Sequence, residues 1–155
     1  SLLCGSATPM GFGDVYTALQ SKIIDGAENN EMALTDNGHG DVCKYYSYDM
    51  HQMIPDILIG NIAFLDGLSE EERAVFDEGF ELVNQVQREE WVTAVENAKD
   101  RAENEQGVHF IYPDTAPFQV ACAPMHDAML EQYPDLKPIY DAIQAYNKQY
   151  PSTES

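Results

Sequence analysis

Apolar positions change their period several times along the chain, and each change predicts an element. Leu2-Leu3-Cys4, running into Gly5 and Pro9, reads as the tail of a buried strand leaving for a loop. Val15, Ala18, Leu19 and Ile23 then recur at helical spacing, in a helix started by Gly13 or Asp14 and stopped by Asp25-Gly26. The polar stretch from Glu28 to Asp41, with Gly38 and Gly40, predicts a short helix or loop facing solvent or a cleft. Tyr45 to Met50 and the run Ile57-Leu58-Ile59-Gly60-Asn61-Ile62 predict two strands around Pro55.

The strongest local signal follows. Ser69-Glu70-Glu71-Glu72 is a capping box, in which the Ser69 hydroxyl accepts from the Glu72 amide and the Glu72 carboxylate accepts from the Ser69 amide. Phe76, Phe80, Val83, Trp91, Ala94 or Val95, Ala98 and Ala102 continue one helical stripe to Gly107, in spite of Gly79. A helix of ~37 residues would be about 55 Å long. Such a length predicts a helix that links two lobes or forms an oligomer contact. Val108 to Tyr112 reads as a strand, Thr115 as the cap of a helix reaching Leu130, and Leu136 to Tyr150 as a last helix with Pro138 in its first turn. One long helix among scattered short strands does not close a self-contained sheet, so the fold class is α/β and incomplete.

Charge narrows the partners. With 155 residues and 44% hydrophobic content the chain can build a sizeable core, but its formal net charge of -19 repels phosphate backbones and anionic lipid surfaces. Nucleic acid is thereby excluded as an expected partner. An anionic small molecule would need a local basic group to override that field. Cys4, Cys43 and Cys122 form no C-x-x-C pair and leave the compartment unread. Leu2-Leu3-Cys4-Gly5 lacks the basic and apolar segments of a lipoprotein signal, no apolar stretch approaches membrane-spanning length, and a start inside an apolar run leads us to expect further polypeptide upstream.

Pro9-Met10-Gly11-Phe12-Gly13-Asp14-Val15-Tyr16-Thr17-Ala18-Leu19-Gln20, followed by Ile24-Asp25-Gly26-Ala27-Glu28-Asn29-Asn30, closely resembles the signature of the extracytoplasmic solute-binding proteins of TRAP transporters, the DctP family. His39, the run Val42 to Tyr48, His51, Pro55-Asp56 and the Leu-Ser-Glu-Glu opening of the long helix occur in the family's order, so the resemblance covers essentially all of the chain. It implies the C-terminal part of a two-lobed periplasmic-binding-protein-like α/β fold with one long lobe-spanning helix. Within it, 1–56 would supply ligand-lobe elements, 57–68 a crossover strand and return, 69–106 the long helix, and 107–155 the C-terminal strand and helices. The implied partners are a small organic acid, the membrane subunits of an ion-driven transporter, and the missing N-terminal part of the same protein. The implied location is periplasmic or extracellular, with tethering through that missing segment, and no cofactor or metal is implied. A family arginine that pairs with the ligand carboxylate would lie upstream, which answers the charge problem because a bidentate guanidinium acts at contact distance in a desolvated cleft.

The resemblance assigns Phe12 as an aromatic wall of the ligand cleft and Asn29 as a hydrogen-bonding group; alone, Phe12 would read as core and Asn29 as a turn residue. The glycines on each side place Phe12 on a loop before a helix. Glu28 either accepts from ligand hydroxyls or orients the Asn29 loop, and Asn30 reads as a helix cap. His39 and His51 lie in segments that approach the cleft in relatives binding sugar acids, and either imidazole can bond a hydroxyl or a carboxylate. Met50 and Glu31 differ from some of those relatives, which bears on the substrate subclass. His109 and His126 lack metal spacing and read as structural, and Tyr45, Tyr46 and Tyr48 as core and rim of a strand.

The expectation is therefore a binding protein for a sugar acid of the uronate type, with a C4-dicarboxylate second, and not an enzyme. Acid-base catalysis by Asp25, Glu28, His39 and His51 is the rival reading, but no nucleophile elbow, phosphate loop or metal motif accompanies those residues. A coiled-coil module over 69–106 is the other, and Gly79 and Gln87 interrupt its heptads.

Overall fold

A computed structural model describes residues 2–150. In chain order the elements are α1 (Phe12–Gln20), α2 (Met32–Thr35), α3 (His39–Val42), β1 (Tyr45–Ser47), α4 (Ile62–Asp66), α5 (Glu70–Asn104), β2 (His109–Ile111), α6 (Ala116–Gln132), a 3-10 turn (Pro134–Leu136) and α7 (Lys137–Gln149). They fall into two compact units. One holds 10–46 and 52–111, and the other holds the N-terminal residues to 9, 47–51 and the chain from 112 onward.

In the first unit, β1 and β2 form a two-stranded sheet. The ring pairs Tyr45–His109 and Tyr46–Phe110, at 5.6 Å each, advance in step along both strands, as parallel register requires. Below the sheet Leu34, Ala102 and Val108 form the buried core, with Tyr46 and Phe110 packed against it. Gly107 lets the chain turn there: its φ of 68° is left-handed, and it allows the Val108 amide to reach back to the Ala102 carbonyl at 2.9 Å.

The long helix α5 has 35 residues, about 52 Å. Its capping box forms as the sequence predicts: the Ser69 hydroxyl accepts from the Glu72 amide at 3.3 Å and the Glu72 carboxylate accepts from the Ser69 amide at 2.9 Å. Only the C-terminal end of the apolar stripe is buried, at Ala98 and Ala102. Phe76 packs on Phe64 and Phe80, while Val75, Leu82, Val83, Val86 and Val92 are exposed.

Four expectations are corrected. Leu2-Leu3-Cys4 is an exposed turn, since no strand partner covers it among the described residues. Residues 57–59 belong to no strand and are exposed, and Asn61 instead caps α4 by accepting from the Phe64 amide at 3.1 Å, so Ile62 is helical. The first helix begins at Phe12, one or two residues early, because Gly11 adopts the extended N-cap conformation and accepts from the Asp14 amide; Ile23 lies beyond its end and is exposed. Neither Asn30 nor Thr115 caps with its side chain; the amide of Ala116 is satisfied by Asp114 Oδ1 at 3.0 Å.

In the second unit, Tyr48 stacks on Tyr112 at 4.9 Å and His126 meets the edge of Tyr140 at 5.7 Å. Pro138 sits in the first turn of α7 as expected, where the missing amide costs nothing. Much apolar side chain is left unburied, including Met53, Ile54, Ile57, Leu58 and Ile59.

The segment 34–44 is fastened to the chain just beyond α5. Gln106 Nε2 donates to the Leu34 carbonyl at 3.0 Å and to Asp41 Oδ1 at 3.2 Å, and Lys44 Nζ donates to the carbonyls of Gln106 at 2.7 Å and Gly40 at 2.9 Å. A Cβ at Gly40 would run into the Gln106 carboxamide, which these bonds prevent from yielding. Gly40→Ala is expected to cost about 1–3 kcal/mol in urea denaturation, as overpacking does, and Gln106→Ala in the same chain to recover part of it. Additive losses would contradict the clash. At the other end of α5, the Ser69 amide and then its hydroxyl hold the Glu72 carboxyl below its ordinary pKa. A depressed carboxyl contributes stability above its ordinary range and loses it as pH falls through the folded value. Chemical shifts of the first turn should therefore report fraying on acidification, and Glu72→Gln should flatten that dependence.

Candidate functional site

Phe12 opens α1 with half its surface exposed, because the extended Gly11 turns the chain there and leaves the first helical ring uncovered on one side. It lies on the helix itself rather than on the loop before it. Its ring stands 5.7 Å from the imidazole of His39, tilted by 51°. Tyr16, one helical turn on, brings its ring to 6.5 Å from the same imidazole. His39 opens α3 behind a left-handed Gly38 (φ 71°), and only 6% of it remains exposed. Burial holds its pKa below the ordinary histidine value, so the neutral form is favoured.

Glu28 and Asn29 are exposed on the loop between α1 and α2. The Asn29 carbonyl accepts from the Tyr46 hydroxyl at 2.8 Å, which ties the loop to the sheet, and Asn29 Oδ1 accepts from the Asn30 amide at 2.9 Å. The turn role and a ligand role are compatible, since the Asn29 carboxamide NH2 is not consumed by that bond. Glu28 Oε2 accepts from Gln52 Nε2 at 3.1 Å. His51 belongs to the other unit, where its Nδ1 lies 2.8 Å from Asp49 Oδ1 and both side chains are partly exposed. The structure thus joins Phe12 and His39 directly and places Glu28 and Asn29 in the same unit, while His51 is held by a neighbour in sequence. His109 and His126 pack on tyrosines.

Tyr16, Tyr46 and Gln52 were not singled out from the sequence as partners of these residues. Tyr16 was legible in principle, four residues after Phe12 on one helix face. Gln52 carried no signal, because its partner is 24 positions away. The three arginines all lie on α5, and Arg73 and Arg101 face carboxylates of Asp77 at 2.9 Å and Asp36 at 3.6 Å. No group of three His, Cys, Asp or Glu side chains suited to a metal is present among the described residues. Cys4, Cys43 and Cys122 are free thiols.

A TRAP periplasmic solute binding protein from Anaerococcus prevotii, solved with bound alpha/beta D-glucuronate, superposes with a TM-score of 0.90 at 66% identity, over 97% of this chain and 49% of that one. One from Chromohalobacter salexigens, with bound D-glucuronate, superposes with a TM-score of 0.89 at 33% identity, over 93% of this chain and 48% of that one. The protein YiiZ of Salmonella typhimurium is 38% identical over 92% of this chain and 43% of its own length. The chain spans about half the length of these relatives or less. They are binding proteins where their function is stated, and none is described as an enzyme. Residues 1–133 match the model of the bacterial extracellular solute-binding proteins of family 7, and the chain belongs to that family.

Proposed function

We propose that this chain is part of a periplasmic or extracellular binding protein that captures a sugar acid of the uronate type and delivers it to the membrane subunits of a TRAP transporter. Its 66% identity and TM-score of 0.90 to a protein holding glucuronate carry the reading. The site chemistry supports it. Phe12 offers a flat apolar wall to a sugar ring, Asn29 a carboxamide, Glu28 an acceptor for hydroxyls, and His39 a neutral imidazole beside the wall. His51, beside Asp49, is a further candidate contact that the sequence suggests. A small dicarboxylate is the second ligand class. No helix is long and apolar enough to cross a membrane among the described residues.

The ligand carboxylate needs a counter-charge that this acidic chain does not offer near Phe12: Lys44 is committed to two carbonyls and Arg101 faces Asp36. The half of the family fold outside the chain would supply it, and would cover Ile57-Leu58-Ile59 and the exposed stripe of α5, which we assign to a crossover strand and a lobe-linking helix.

Isothermal titration tests the reading on the protein that carries this chain together with the rest of the family fold. D-glucuronate or D-galacturonate should bind, and Phe12→Ala and Asn29→Ala should each weaken binding roughly tenfold or more, the worth of one lost wall or hydrogen bond. A flat titration with uronates and dicarboxylates alike would overturn it.

A further inference from the structure

His39 is the one buried polar residue among those described, and neither of its ring nitrogens has a hydrogen-bond partner within them. Among the described residues the only fully enclosed, unpartnered polar side-chain atom is Gln106 Oε1, so the imidazole nitrogens keep a path to the outside. An imidazole beside Phe12 and Tyr16 whose nitrogens reach the outside is paired by water, and a ligand that displaces that water loses affinity unless it supplies equivalent partners. The neutral ring presents one N–H donor and one bare nitrogen acceptor. A carboxylate can satisfy only the donor. A hydroxyl can satisfy either nitrogen, and the acceptor can be satisfied only by a group that carries a proton.

We propose that His39 is a specificity-determining residue that reads a ligand hydroxyl with a neutral imidazole, and so selects hydroxylated acids over plain dicarboxylates. The proposal rests on the binding function above and adds to it the group that distinguishes the two ligand classes. Protonation removes the acceptor and places a charge among aromatic rings, so affinity falls on acidification. The charged groups on α1, α2, α3 and their flanks are Asp14, Glu31, Asp36, Asp41 and Lys44, with Tyr16 adding a phenol, and among the many charged residues of α5 Arg101 faces Asp36. Several are engaged elsewhere: Asp41 Oδ1 with Gln106 at 3.2 Å, Lys44 with two carbonyls, and Arg101 with Asp36 at 3.6 Å. The depressed pKa of His39 arises from burial, in keeping with this arrangement. Were His39 to face the ligand carboxylate instead, acidification would strengthen binding.

The test is titration of the protein carrying this chain and the rest of the fold, with D-glucuronate and with succinate, at about pH 8 and about pH 5. Glucuronate affinity should fall roughly tenfold toward pH 5; His39→Phe should lose about as much at pH 8 and shrink the preference for glucuronate over succinate. His39→Gln, which keeps a donor and an acceptor, should bind glucuronate without the pH dependence. Independently of any variant, saturating glucuronate should lower the His39 titration midpoint seen by NMR. Uronate binding that is flat or stronger at low pH, or a raised midpoint, overturns the role of His39 alone. Absence of uronate binding at pH 8 overturns the binding function and this inference together.

Discussion

The candidate site exists because the segment carrying His39 is pinned to the end of the long helix. That segment is too short to hold its own shape: α2 and α3 have four residues each, below the length at which a helix is stable alone. What fixes it is tertiary. Leu34 is buried against Ala102 and Val108, and Gln106 and Lys44 satisfy the polar backbone that the short helices leave open. Gly40 has no side chain because the Gln106 carboxamide occupies the space one would need. With the segment fastened, His39 is presented under Phe12 and Tyr16 rather than to solvent.

Electrostatics and packing then divide the labour. A chain of net charge -19 cannot draw in an anion by its general field, and the region around Phe12 does not try to. It offers uncharged recognition instead: an aromatic wall, a neutral imidazole and a carboxamide. In the proposed binding function these groups would read shape and hydroxyls, with the charge of an acid left to a basic group elsewhere in the family fold.

What the sequence revealed follows the range of each interaction. The Ser69 capping box is complete within four residues, and it formed as read; Pro138 in the first turn of α7 is equally local. The motif from Pro9 to Asn30 led to the family, which the match over 1–133 shows. The true start of α1 at Phe12 is not legible in the sequence, because a glycine N-cap with no side-chain bond leaves no residue signature there. Residues 57–59 have the composition of a strand buried on both faces, and composition cannot say whether partner strands are at hand. The clamp was out of reach altogether: Gln106 bonds residues 65 and 72 positions away, and nothing in a glutamine after a helix announces them.

A crystal structure of the protein carrying this chain, with the rest of its fold and bound D-glucuronate, would bear most directly on the pinned segment as a recognition surface. The sugar ring should lie against the face of Phe12, with one of its hydroxyls within hydrogen-bonding distance of a His39 ring nitrogen and Gln106 still joined to Leu34 and Asp41. A sugar bound away from Phe12 and His39, with the imidazole still unpaired, would contradict it.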